Sequence, residues 1–322
     1  MNQKKNKPRP SSRSPLLYDT EFKWRYLKPR YWATWLAAAF LGLMILVPAS
    51  IQDAMANKLG DLMRSINKKR RRIARKNIQQ CFPEFSEQQK KQMLRENFRH
   101  QARSVLHLGI IWWAPRWLLR KRIVVQGQEN IEKSQRENHG VIVMPAHSMG
   151  LEAVLSAVAM RYISSGFFKP LKNELLDWLV ARARVRHGGY SYARDAGLRP
   201  IIKDVRAGCV ALYLSDEDLG PNRSIFAPFF GTQKASVPVL GRLAKSCRAH
   251  VLPSMTCYNK KTHQYVVHIL PPLQNFPSGD DYQDTLQMNK ALEELIGLCP
   301  SQYFWIMKMF KTRPEGEAAF YD

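Results

Sequence analysis

The stretch Val141-Ile142-Val143-Met144-Pro145-Ala146-His147-Ser148-Met149-Gly150-Leu151-Glu152 sets a histidine and a carboxylate five residues apart at the end of an apolar run. A carboxylate accepting from one imidazole nitrogen fixes the tautomer and leaves the other nitrogen free to take a proton from an alcohol. Within one regular helix, residues five apart point about 140° away from each other, so His147 and Glu152 would not meet on one face. With His147 in the turn before a helix and Glu152 in its first turns, they can. The same residues taken alone also describe a strand-end histidine bonded to backbone. The helix start after His147 offers backbone N–H groups as donors for an oxyanion.

Positioning such a turn requires a strand before it and a helix after it. The apolar runs 141–144, 210–214, 250–252 and 265–270 read as strands. They alternate with helix candidates near 151–162, 173–184, 199–207, 235–247 and 283–297. The expectation is an α/β domain over 123–322 with a mixed, mainly parallel sheet flanked by helices. No Gly-rich nucleotide fingerprint, internal repeat or zinc spacing occurs, so no metal and no cofactor is expected. Asp216, Glu217 and Asp218 are acidic neighbours but lack the spacing of a calcium loop.

The N-terminal third reads differently. Residues 1–30 form a basic tail carrying Lys4, Lys5, Lys7, Arg9 and Arg13, and residues 31–52 hold no acid or base, enough for a membrane anchor flanked by Tyr31 and Trp32. A cleaved signal peptide, with Ala54-Met55-Ala56 as its small-x-small site, is the alternative. A basic helical region over 53–122 follows. It includes a helix over 86–110 that opens with the capping pattern Ser86-x-x-Gln89 and carries Leu94, Phe98, Ala102, Val105 and Leu106 as its apolar stripe. Trp112, Trp113 and Trp117 beside Arg120, Lys121 and Arg122 suit a headgroup surface or a core equally.

Among 322 residues, 50 Lys and Arg stand against 26 acids, a net charge of +24, so anionic partners are expected. With 45% hydrophobic residues the chain is neither disordered nor a polytopic membrane protein. Its five cysteines are scattered and read as free, buried thiols in a reducing compartment, which places the large domain on the cytoplasmic side. Lys68 to Lys76 form a basic run open to a nucleic-acid reading, but no recognition motif accompanies it and no nucleic acid is expected.

Four ordered blocks carry a resemblance. His147 to Glu152 is similar to the H-x4-D/E motif of lysophospholipid-type acyltransferases. His187-Gly188-Gly189-Tyr190-Ser191-Tyr192-Ala193-Arg194 resembles their second block. Asp216-Glu217-Asp218-Leu219-Gly220-Pro221 with Phe226-Ala227-Pro228-Phe229-Phe230-Gly231 resembles the third, and Val251-Leu252-Pro253 the fourth. Within that superfamily the chain resembles the late lipid A biosynthesis acyltransferases from residue 31 onward. Lys28-Pro29-Arg30-Tyr31-Trp32, Cys81-Phe82-Pro83-Glu84 and the stretch 303–314 look like the myristoyl-transferring branch.

The resemblance implies a glycerolipid-acyltransferase-like fold and a reaction moving a fatty acyl chain from acyl carrier protein to a Kdo-bearing lipid A precursor. It further implies an anionic membrane surface as partner, at the cytoplasmic face of the bacterial inner membrane. It makes His147 and Glu152 catalytic, with Arg194 and Asp218 on substrate-binding positions. Arg194 is equally able to pair with a carboxylate such as Asp218. Phe229 and Phe230 suit an acyl-chain wall or ordinary core. The competing reading is an acyltransferase for another glycolipid or a lysophospholipid, using acyl-CoA or acyl carrier protein.

Overall fold

The computed structural model describes residues 17–322; Lys4, Lys5, Lys7, Arg9 and Arg13 of the basic tail lie outside the described residues. Six helices come first: α1 (Trp32–Leu43), α2 (Ala49–Ile66), α3 (Lys68–Cys81), α4 (Glu87–Leu106), α5 (Leu108–Trp113) and α6 (Arg116–Arg122). Strand and helix then alternate through β1 (Ile123–Gln126), α7 (Gln128–Arg136), β2 (Gly140–Pro145), α8 (Leu151–Ala159), β3 (Ser164–Phe168), α9 (Glu174–Val185), β4 (Gly189–Ala193), α10 (Arg199–Arg206) and β5 (Val210–Leu212). A hairpin, β6 (Ile225–Phe229) and β7 (Thr232–Ser236), precedes α11 (Val239–Cys247), β8 (Ala249–Asn259), β9 (Gln264–Ile269) and α12 (Asp281–Leu298).

Seven strands form one sheet in the order β1-β9-β8-β2-β5-β3-β4. The five from β8 to β4 are mutually parallel, and β9 pairs antiparallel with β8 and carries β1 parallel to itself, so the sheet is mixed and mostly parallel, as expected. Both faces are covered. Ile142 and Met144 of β2 point to a core shared with α3, α4, α11 and α12, while Val141 and Val143 point to a second core with α5, α6 and α8. That alternation is the two-residue period of a strand with two buried faces. Strands β3 and β4 escape the sequence reading because their Gly- and Ser-containing segments lack a β-branched run.

The apolar stretch 31–52 is not one helix. It comprises the 12-residue α1, a 3-10 turn over Met44–Leu46, and Pro48, which precedes α2. Twelve residues rise about 18 Å, short of the roughly 30 Å hydrocarbon core. No helix among the described residues is long and apolar enough to cross a membrane. Instead α1 lies against α5, where a Cβ on Gly109 would fall 1.8 Å from the Leu41 carbonyl oxygen, so only glycine permits this approach. Its outer face exposes Trp32, Leu36, Phe40 and Leu43, with Leu46 just beyond. Ala54-Met55-Ala56 lies inside α2, whose buried Asp53 accepts from Arg103 of α4 and Tyr258 of β8.

The capping box of Ser86 and Gln89 opens α4, and Leu94, Phe98, Ala102 and Leu106 are buried, whereas Val105 is exposed. The tryptophans divide: Trp112 is buried and Trp117 exposed. One expectation is overturned, because Cys257 of β8 and Cys299 after α12 form a disulfide, leaving only Cys81, Cys209 and Cys247 as free, buried thiols, so the cysteines no longer argue for a reducing compartment or for the cytoplasmic side. The partners stand 42 residues apart, a separation no local pattern reveals. A loop of that size should contribute about 3–4 kcal/mol to stability. Denaturant unfolding of Cys257→Ser against the oxidised parent should therefore show a midpoint shifted well downward; an unchanged midpoint would mean that the bridge contributes nothing.

Candidate active site

The chemistry gathers at the C-terminal ends of parallel strands, where open α/β sheets bind ligands. His147 follows β2, Arg194 follows β4, and Asp216 lies four residues beyond the end of β5. Val143 of β2 and Leu212 of β5 are register partners, so both strands end at the same edge and their following turns converge.

That convergence gives His147 its partner. The ring Nδ1 hydrogen-bonds the Oδ1 of Asp216, and the backbone N–H of His147 donates to Asp216 Oδ2 at 2.8 Å. Tyr303 Oη donates to the same Oδ2 at 2.9 Å. Asp216 is fully buried and His147 retains 17% side-chain exposure, so the pair is enclosed on the carboxylate side and open on the ring side. The C-terminal segment braces this turn: Phe304 N–H donates to the His147 carbonyl and Met149 N–H to the Gln302 carbonyl, each at 2.8 Å. The N–H groups of Ser148, Met149 and Leu151 are thus already engaged by protein carbonyls, which removes them from the set expected to hold an oxyanion.

The electrostatics follow from burial against charge. Burial disfavours the imidazolium, yet the Asp216 charge and hydrogen bond, with Glu217 nearby, carry the His147 pKa above its ordinary value. Burial likewise opposes the Asp216 carboxylate, but His147 and Lys234 hold its pKa well below the usual range. Lys234, itself fully buried, is pulled down to about 8 by burial against the attraction of Asp216 and Asp218. On the open side, His147 Nε2 lies 3.7 Å from Glu217 Oε1, and Arg194 pairs with Glu217 at 3.2 Å. Arg194 therefore reaches the mouth of the site, paired with Glu217 rather than with Asp218.

The other expected residues are placed as follows. Glu152 does not orient the ring: its carboxylate accepts from Arg184 at 2.5 Å and from the Trp112 indole at 3.2 Å, joining α8 to α9 and α5. Asp218 is buried and accepts from Thr312 N–H at 2.7 Å, Thr312 Oγ1 at 2.8 Å and Gly220 N–H at 3.0 Å, so its oxygens hold the C-terminal segment and not an open cleft. Asp218→Ala should cost about 1–3 kcal/mol of stability by orphaning these donors, readable as a lowered unfolding midpoint; an unaltered midpoint would contradict that role. Of the three neighbouring acids, Asp216 and Glu217 thus face the two nitrogens of His147, while Asp218 holds Thr312. Phe229 is fully buried core. Phe230 and Gly231, both at positive φ, make the two-residue turn of the β6–β7 hairpin, and the Phe230 ring packs on Phe82 and Trp305. Neither ring lines an open acyl pocket.

Sequence reasoning did not see Asp216 or Tyr303 as partners of His147. The signal for Asp216 was present in the two adjacent apolar strands, each followed within a few residues by a polar group. Nothing local announces Tyr303.

A buried carboxylate bonded to a histidine at the strand ends of a doubly covered sheet is an arrangement suited to general-base chemistry in an α/β enzyme. Residues 19–312 match the model of the bacterial lipid A biosynthesis acyltransferases. The chain is 37% identical over 303 residues to a lipid A biosynthesis acyltransferase of Haemophilus influenzae, covering 93% of this chain and 94% of the relative. It is 34% identical to the lipid A biosynthesis myristoyltransferase of Escherichia coli, covering 93% of each chain. The lauroyltransferase of the same organism is 31% identical, over 94% of this chain and 98% of the relative. The chain belongs to the lipid A biosynthesis acyltransferase family and is an enzyme that transfers acyl groups.

Proposed function

We propose that this enzyme transfers a myristoyl chain from acyl carrier protein to the hydroxyl of a 3-hydroxyacyl chain on a Kdo-bearing lipid A precursor, at the cytoplasmic face of the bacterial inner membrane. The observation that carries the chemistry is the His147–Asp216 pair: Nδ1 is occupied by a buried carboxylate and Nε2 is turned to the open side. Nε2 takes the proton of the acceptor hydroxyl as its oxygen forms a bond to the thioester carbonyl carbon. The tetrahedral intermediate then collapses with loss of the C–S bond, and the imidazolium returns its proton to the departing thiolate. No acyl-enzyme is needed.

Similarity to the myristoyltransferase supports the chain length, and the 31% identity to the lauroyltransferase marks the alternative. The exposed apolar face of α1 and the net charge of +24 support an anionic membrane partner, with the aliphatic and tryptophan side chains entering the headgroup region and the cations on lipid phosphates. Acyl carrier protein is acidic and would be steered to the same basic surface. Arg194, beside Glu217 at the open side of the ring, is placed to meet a substrate anion by exchanging partners.

Mass spectrometry of an under-acylated, Kdo-bearing precursor incubated with purified protein and a mixture of acyl carrier protein and acyl-CoA donors tests the whole reading. The expected product is heavier by one myristoyl chain drawn from the carrier protein. Transfer from acyl-CoA alone, or to a lysophospholipid in preference, would replace this reading with the competing acyltransferase.

A further inference from the structure

Between α1, α5 and α9 lies a groove of about 500 Å³, lined by Trp35, Ala38, Trp112, Trp113, Trp178 and Arg182 among others. Its volume falls within the roughly 300–1,000 Å³ of ligand pockets, and its walls are apolar and aromatic with a few polar groups, the usual make-up of such sites. Its two cations are the unusual feature. Arg182 stands 5.0 Å over the Trp178 ring, and Arg186 donates to the carbonyl oxygens of Trp112 and Ala114. Among the described residues neither forms an ion pair with a carboxylate, although the other α9 arginine, Arg184, does. An apolar trough edged by two uncompensated cations is complementary to a lipid that carries an anionic group.

One wall residue of the groove is bonded to the helix that follows His147. Trp112 forms part of its wall and donates its indole N–H to Glu152, five residues after His147 and on the helix that follows it. At the other side the groove is bounded by α1, whose neighbouring face is the exposed apolar surface of Trp32, Leu36 and Phe40. A molecule held here would therefore lie between α1 and a wall residue that is bonded to the helix following the His147 turn.

We propose that this groove binds the phosphate-bearing acceptor lipid, with one of its acyl chains against Trp35, Ala38 and Trp113 and a phosphate on Arg182 beside the fixed charge of Arg186. The inference rests on the acceptor proposed above and adds the place where that acceptor sits. The soluble acyl donor has no need of an opening beside the membrane-facing helix. Phosphate on an arginine fork is a charge-assisted, bidentate contact, and the Trp178 ring under Arg182 holds the fork in one orientation. Glu152 gains a meaning here that its sequence position did not suggest, since it fixes the indole of Trp112 in the wall of the trough.

The test compares the lipid A precursor with its phosphatase-treated form. Arg182→Glu should raise KM for the phosphorylated acceptor about tenfold or more and leave KM for the dephosphorylated acceptor and for the acyl donor in place; Arg182→Lys should recover part of the loss. Ala38→Trp, which fills the trough, should raise KM for both acceptors. Equal effects of Arg182→Glu on the two acceptors, or a change confined to the acyl donor, would overturn the proposal while the enzyme's overall reaction stands. Should the parent protein transfer to neither acceptor, the acceptor reading has failed and calorimetric binding of the precursor in mixed micelles decides the groove: weakening of about tenfold in Arg182→Glu supports it, and unchanged affinity disposes of it.

Discussion

A folded His147→Ala variant should retain no more than about 10⁻² to 10⁻⁴ of the parental turnover, a rise of roughly 2.7–5.4 kcal/mol in the barrier. The magnitude is that of removing a positioned base. The acceptor hydroxyl is a poor nucleophile at neutral pH, and the ring nitrogen facing the open side is the group placed to relieve it of its proton as the bond forms. Residual turnover is expected because substrate positioning survives the substitution. Steady-state rates of acyl transfer, with far-ultraviolet circular dichroism to establish that the variant is folded, check the expectation. A loss below about tenfold would remove His147 from the base role while leaving the assignment as an acyltransferase intact.

His147 was legible in the sequence because its signal is local: an apolar strand, a proline, a polar turn and a helix. Its partner was not. The spacing to Glu152 invited a local pairing, yet the structure gives Glu152 to Arg184 and Trp112, and gives the ring to Asp216, 69 residues away. The reason is topological. In a parallel sheet, neighbouring strands deliver their following turns to one edge, so residues far apart in the chain meet there more readily than residues five apart around a helix start. The same argument covers Asp218 and Phe229: block membership placed them near the chemistry, but tertiary packing turned the carboxylate toward Thr312 and buried the ring. The α/β alternation was legible because the buried strands are apolar runs. The break in the segment 31–52 was not read from the sequence, where the uncharged run reads as one anchor; the helix ends at Leu43, a 3-10 turn follows, and Pro48, lacking an N–H and restricting the residue before it, separates this turn from α2. The Cys257–Cys299 bridge had no local signal at all.

Asp216→Asn should lower kcat by about 10²- to 10⁴-fold and displace the pH dependence of what remains. In the parent, a carboxylate on Nδ1 requires the neutral ring to carry its proton there, which leaves the Nε2 lone pair for the acceptor hydroxyl. An asparagine keeps the volume but can present its NH2 to Nδ1, which puts the ring proton on Nε2 and abolishes the base. The sign of the pH effect follows from the charge. Only the neutral ring is active, so parental kcat/KM should rise with pH through a limb that lies above the ordinary histidine value of 6.5, because Asp216 raises the His147 pKa. Removing the negative charge withdraws that support, so the limb should move to lower pH as the plateau falls. A purely structural role for Asp216 would lower activity without moving the limb. Tyr303→Phe supplies the milder control: it deletes one donor to Asp216 at 2.9 Å and leaves the carboxylate and its charge in place, so the tautomer and most of the rate should persist. Should Asp216→Asn retain parental turnover with an unmoved limb, the pair seen at the ends of β2 and β5 would be a packing contact and the proton would have to leave the acceptor by another route.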